Sequence, residues 1–137
     1  MSIAKETVGF KLRRLCNQLH KNTGRSLKDI GITGDNYMTM NYIYENPGIT
    51  QAELADINGK DRNVIGKIID KLESKEFVKR IRGEKDRRSF KLYLTESGSR
   101  VVSKYWNVII KLEEKRLQRL SAEERKKFLE ILNKLAD

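Results

Sequence analysis

Residues 50–95 constrain the fold more than any other stretch: two helical periods, a glycine corner and two alternating runs follow one another without a break. Thr50 opens a capping box. Its hydroxyl is placed to accept from the amide of Glu53, whose carboxylate reaches back to Thr50. Leu54, Ala55 and Ile57 follow on a short helix, and Asn58-Gly59-Lys60 supplies the tight, glycine-containing corner of a helix-turn-helix. Asp61 suits the N-cap of a second helix running to Ser74, where its charge also meets the positive end of the helix dipole. Val64, Ile65, Ile68, Ile69 and Leu72 are expected on the buried side of that helix, at about 100° per residue. Asn63, Gly66, Lys67, Asp70 and Ser74 then face outward, flanked by Arg62 and Lys71. Two strands are predicted next, over 77–82 and 89–95. In the second, Phe90, Leu92 and Leu94 alternate with Ser89, Lys91 and Tyr93, the pattern of a half-buried strand. Between them lie Gly83-Glu84-Lys85-Asp86-Arg87-Arg88, a turn in which three of six residues are basic. The whole is a helix-turn-helix with a β-wing.

The flanks read as helices that need cover. Leu12, Leu15, Cys16 and Leu19 form one apolar stripe on a helix over residues 6–20, which Asn22, Thr23 and Gly24 are expected to interrupt. Tyr37, Met38, Met40, Tyr42, Ile43 and Tyr44 mark a second helix, stopped at Glu45-Asn46-Pro47-Gly48. Beyond the wing, Thr95 caps a helix to residue 119 carrying Val102, Tyr105, Trp106, Ile109 and Leu112. Ser121 with Glu124 is a second capping box before Phe128, Leu129, Leu132 and Leu135. The expected fold is mainly α with a small β-wing: a winged helix-turn-helix over 31–98, with N- and C-terminal dimerisation helices at 1–30 and 99–137, in a single domain spanning 1–137.

Composition narrows the partners. A chain of 137 residues is ordinarily one domain, and 38% hydrophobic against 35% charged gives a thin core, normal where dimerisation buries more. The net charge is +10, and residues 60–91 hold 12 lysines and arginines against 6 acids, or +6 of that total. A positive field that coincides with the helix and wing is the footprint expected of a nucleic-acid binder. Ile3 and Ala4 are followed at once by Lys5 and Glu6, unlike a signal peptide, and no apolar run approaches spanning length, so a cytoplasmic protein away from membranes is expected. One cysteine excludes an internal disulfide, and one histidine with one cysteine cannot make a usual zinc site. There is no glycine-rich phosphate loop, nucleophile elbow or paired-carboxylate site. No catalytic residue, metal or cofactor is expected.

The middle of the chain resembles the MarR family of bacterial transcription regulators. Gly31-Ile32-Thr33 followed by Tyr37 is similar to the start of the family's second helix, and Ile49-Thr50-Gln51-Ala52-Glu53-Leu54-Ala55 to its first helix-turn-helix element. Lys67-Ile68-Ile69-Asp70-Lys71-Leu72-Glu73 resembles the recognition helix. Asp86-Arg87-Arg88 resembles the wing-tip signature, and Leu94-Thr95-Glu96-Ser97-Gly98 the way out of the wing. The resemblance spans residues 31–98 with order and spacing kept. It implies a two-fold symmetric homodimer on a pseudo-palindromic double-stranded DNA site, usually acting as a repressor. Two positions depart from the pattern. Gly66 stands where a small hydroxyl residue is more usual, at about 1 kcal/mol relative to alanine in a helix. Glu76 replaces the usual glycine at the helix-to-strand corner, which is tolerable if that backbone is not left-handed.

These readings assign roles. Arg62, Asn63, Lys67 and Lys71 are the DNA-facing residues of the second helix. Arg62 can pair with guanine and Asn63 with adenine, or either can hold phosphate, which positions without specifying. The resemblance places Arg88 in the minor groove and makes Asp86 its brace. Asp61 either supports the wing or only caps its helix. Lys85 and Arg87 touch phosphate or stay solvated. His20, Tyr37, Met40, Tyr44 and Trp106 are candidates for an effector pocket, since the family often binds small aromatic acids; a small aromatic or anionic effector would fit, and core packing is the competing reading. Cys16 on its apolar stripe reads as a small hydrophobe. One branch of the family senses organic peroxides through a lone N-terminal cysteine, and Cys16→Ser tests that alternative. A further alternative is a winged helix that uses its basic face on an acidic protein partner, which would show no DNA sequence preference.

Overall fold

In the computed structural model, which describes residues 3–85 and 88–136, the elements follow in the order α1 (Ile3–Glu6), α2 (Val8–Lys28), α3 (Gly34–Glu45), β1 (Ile49–Thr50), α4 (Gln51–Asn58), α5 (Arg62–Ser74), β2 (Val78–Arg82), β3 (Phe90–Leu94), α6 (Glu96–Leu117) and α7 (Ala122–Ala136). They divide into two compact units, Gly24–Trp106 and Met1–Thr23 with Asn107–Asp137. Mainly helical with a small antiparallel wing, this is the expected fold class.

Helix ends decide the local path. At α4, Gly59 takes φ 64°, and two bonds close the end: Gly59 N–H to the Asp56 carbonyl (3.3 Å) and Lys60 N–H to the Ala55 carbonyl (3.1 Å). This paired arrangement satisfies carbonyls that the helix leaves open and turns the chain sharply into α5. The same pair of bonds ends α5, from Glu76 to Glu73 (2.9 Å) and from Phe77 to Leu72 (3.0 Å), but here the left-handed residue is Glu76, at φ 62°. The proviso attached to Glu76 is therefore not met: the corner is left-handed and carries a side chain. The hydroxyl of Thr95 donates to the Glu76 carbonyl at 2.6 Å and accepts from Gly98 N–H at 3.0 Å, so the corner and the start of α6 are held by one residue. Gly98 is required there, because a Cβ would collide with the Phe77 carbonyl oxygen.

Two sequence expectations are corrected. Asn22, Thr23 and Gly24 do not interrupt the first long helix; α2 runs through them to Lys28. Their poor propensity amounts to roughly 2 kcal/mol in sum, a weak prior that tertiary packing overrides. Leu27, in the last turn, is fully buried, and beyond Lys28 the chain turns away at Gly31, φ 71°. The wing also has three strands rather than two, in the order β1-β3-β2, all antiparallel. Ile49 pairs with Leu92 and Thr50 with Lys91, while β2 pairs with β3 from Val78↔Leu94 to Arg82↔Phe90. The two-residue β1 was hidden because strand and capping box share Thr50. That hydroxyl accepts from Glu53 N–H (3.2 Å) as expected, but the Glu53 carboxylate meets the hydroxyl itself (2.9 Å).

The core lies wholly within the Gly24–Trp106 unit. Leu27, Tyr37, Met40, Ile43, Leu54, Ile65, Ile69, Leu72 and Leu92 are each at most 1% exposed. The Tyr37 hydroxyl donates to the Val102 carbonyl at 2.8 Å, and its ring meets Tyr105 edge-on at 6.4 Å. In the other unit no described residue is buried, and Val8, Leu12, Ile110, Leu129, Ile131 and Leu135 are exposed. There the predicted capping box of Ser121 and Glu124 forms in both directions (2.9 and 3.1 Å), and Arg125 grips both carboxylate oxygens of Glu114.

Candidate nucleic-acid interface

The helix-turn-helix corner is fastened to α3 before it presents anything. Asn58 donates to the Thr39 hydroxyl (3.1 Å), which itself donates to the Asp35 carbonyl (2.9 Å), and Lys60 pairs with Asp35 at 3.6 Å. Asp61 caps α5 by accepting from Asn63 N–H at 2.7 Å. This is the capping role that the sequence offers for Asp61. Gln51 packs on Gly66 and donates to the Arg62 carbonyl at 3.3 Å; a Cβ at position 66 would lie 3.0 Å from its amide nitrogen. The close approach of α4 to α5 that a glycine permits is thus occupied by this side chain.

On α5, Ile65, Ile68, Ile69 and Leu72 are buried, and Arg62, Asn63, Lys67 and Lys71 are exposed on the remaining surface. Val64 breaks the expectation that it anchors the helix: it is 46% exposed. At 100° per residue it sits at the margin of the buried arc, in a row with Lys67 and Lys71 at spacings of three and four. Asp70 and Glu73 are not idle outer-face residues. Arg80 of β2 reaches both, at 2.7 Å and 3.2 Å, as a fork across from strand to helix. The sequence signal for it is a pair of acids three apart on one helix, followed by a cation on the core-facing register of the next strand, where Arg80 pairs with Leu92.

In the wing, Lys85 and Arg88 are exposed, while Asp86 and Arg87 lie outside the described residues, as does any brace between Asp86 and Arg88. Gly83 N–H donates to the Ser89 carbonyl at 3.2 Å, which closes the base of the loop. Arg82 lies over the Phe90 ring at 5.3 Å, an interaction absent from the sequence reading. Ile81, Arg82, Lys85, Lys91 and Tyr93 border an open cleft of about 610 Å³ along this hairpin. The arrangement offers donors and cations on one helix face and one loop, and no cluster of His, Cys, Asp or Glu that could hold a metal among the described residues.

The remaining candidates are dispersed. Tyr37 and Met40 are core residues, at 1% and 0% exposure, and burial pushes the Tyr37 phenol above its ordinary value despite an opposing bond from Asn41. Tyr44 and Trp106 are exposed, at 55% and 52%. His20 is exposed in the other unit, and Cys16 is a free, exposed thiol, so the apolar stripe does not bury it within one chain. No helix among the described residues is long and apolar enough to cross a membrane.

Residues 30–89, which contain the whole helix-turn-helix and most of the wing, match the family model described as the MarR family. The chain belongs to the MarR family. Like other MarR-family chains it folds as a winged helix-turn-helix. It is 38% identical over 74 residues to the uncharacterized HTH-type transcriptional regulator YybA of Bacillus subtilis (strain 168), a match that covers 54% of this chain and 49% of that one. The chain thus spans about half the length of that relative. Among solved structures it is similar to MarR, with a TM-score of 0.80 and 26% identity over 91% of this chain and 88% of that one. The transcriptional repressor CouR, bound to a 23-mer DNA duplex, shares the MarR-family fold at a TM-score of 0.86 and 23% identity, covering 100% and 99% of the two chains.

Proposed function

We propose that this MarR-family protein is a sequence-specific, double-stranded DNA-binding regulator that acts as a homodimer on a pseudo-palindromic operator, as a repressor released by a small aromatic or anionic effector. The observation that carries the reading is the exposed face of α5, where Arg62, Asn63, Lys67 and Lys71 stand clear of the buried Ile65-Ile69-Leu72 stripe. Residues at the N-terminal end of such a helix reach base edges in the major groove, and the wing cations Lys85 and Arg88 suit a flanking groove or phosphate. CouR bound to a DNA duplex supports this use of the fold. The homodimer is supported by the outer unit, in which no described residue is buried and α7 exposes Leu129, Ile131 and Leu135. A second copy is the partner that covers such faces in a family of symmetric dimers. Release by an effector rests on the family resemblance, with Tyr44 and Trp106 the two aromatics of the candidate set left exposed.

Mobility-shift titration tests the reading. Arg88→Ala should weaken binding to a selected duplex by about 1–3 kcal/mol per half-site, with the dimer intact by light scattering. Unchanged affinity would remove Arg88 from the interface.

A further inference from the structure

Val64 is the only large apolar side chain of α5 that is exposed. It follows Asn63 directly, one turn from the capped N-terminus, and lies in one row with Lys67 and Lys71. A β-branched residue turned to solvent in a helix is poorer by propensity than the Lys, Gln or Glu that would serve there. Its two methyl groups can neither donate to a phosphate nor bond a base edge. The major groove offers one apolar feature to such a group, the C5-methyl of thymine. We infer that Val64 reads a thymine methyl in each half-site, adding apolar readout to the polar contacts of its neighbours. This rests on the DNA-binding reading above.

The test uses the full-length protein and the duplex selected from a random DNA pool. Each thymine of the half-site is replaced in turn by deoxyuridine, which lacks only the methyl group. For the native protein, one such replacement weakens binding about fourfold per half-site, the value for leaving one buried methyl-sized group without its contact, and roughly fifteenfold when made in both half-sites. Val64→Ala binds the thymine duplex about as weakly as the native protein binds the uracil duplex, and no longer responds to the replacement. The two changes are thus non-additive, as for groups in contact. Circular dichroism of Val64→Ala, in which alanine raises helix propensity, shows that the fold is kept. The inference is overturned if no thymine in the selected site is sensitive, or if the sensitivity survives unchanged in Val64→Ala. Failure of any motif to emerge from the pool would instead remove the DNA-binding reading itself, and the inference with it.

Discussion

Glu76 holds a left-handed φ of 62° at a corner closed by the backbone bonds from Glu76 to Glu73 and from Phe77 to Leu72, with the Thr95 hydroxyl on the Glu76 carbonyl. A side chain in that conformation costs roughly 1–2 kcal/mol, part of which glycine returns through the unfolded chain. Glu76→Gly should therefore stabilise the protein by about 1 kcal/mol in denaturant unfolding, and a loss of stability would show that the Glu76 side chain contributes more than the corner costs. Gly98 is the opposite case. A methyl group there meets the Phe77 carbonyl oxygen, which is fixed by Thr95 N–H at 3.0 Å, so nothing soft can yield. Gly98→Ala should destabilise by at least about 2 kcal/mol, read by the same unfolding curves. Both residues were visible in the sequence, Glu76 as a departure and Gly98 as part of the wing's exit, but the sign of each effect required the backbone angle and the facing carbonyl. Val64 was misplaced for a related reason: helical periodicity assigns a face to within tens of degrees, and a residue at the margin of the arc is settled only by what packs beside it.

At the scale of elements, helices and strands were legible wherever a cap or an alternating run coincided with a change of period. Thr50, Asp61, Thr95 and Ser121 each begin a helix as their side chains predict, with bonds of 2.7–3.2 Å to the amides they cap. The continuity of α2 and the short β1 were not legible, because both depend on contacts remote in sequence, the burial of Leu27 and the pairing of Ile49 with Leu92. The Arg80 fork is of the same kind. It joins β2 to α5 through Asp70 and Glu73, and so fixes the wing against the recognition helix. Arg80→Ala should cost no more than about 1 kcal/mol of stability, as for a largely exposed ion pair, yet reduce DNA affinity, a split seen by comparing unfolding with mobility shifts. Acid should act elsewhere. The Arg125 side chain beside Glu114 holds that carboxyl below its ordinary value, and the Ser121 amide and hydroxyl do the same for Glu124. A depressed folded value means the stabilisation is present above the ordinary carboxylate range and is lost as pH falls through the folded value. The packing of α7 on α6 should thus begin to weaken as pH falls into the ordinary carboxylate range and lose this contribution below it. Glu114→Gln should remove the Glu114 part of that acid response in a helicity titration and leave the Glu124 part.

For the whole molecule, the distribution of burial carries the account. One unit holds every buried apolar side chain among the described residues, while the other leaves Val8, Leu12, Ile110, Leu129, Ile131 and Leu135 exposed. The sequence points the same way in its amphipathic helices outside the helix-turn-helix, which need cover, while +6 of the net charge of +10 lies over residues 60–91. The effector candidates fared differently, because aromatic spacing does not separate core from surface: Tyr37 and Met40 went inside, Tyr44 and Trp106 outside. Charge makes the binding steep in salt. Lys71→Ala, which removes one cation per subunit, should flatten the slope of log affinity against log salt by roughly 2 per dimer. The central claim, a homodimer that reads duplex DNA with two copies of α5 and the wing, is tested most directly by selecting bound sequences from a random duplex pool with the full-length protein. The account predicts a pseudo-palindrome whose half-sites lie about 10 bp apart, centre to centre. Recovery of unenriched DNA, or of a single half-site without its symmetric copy, would contradict it.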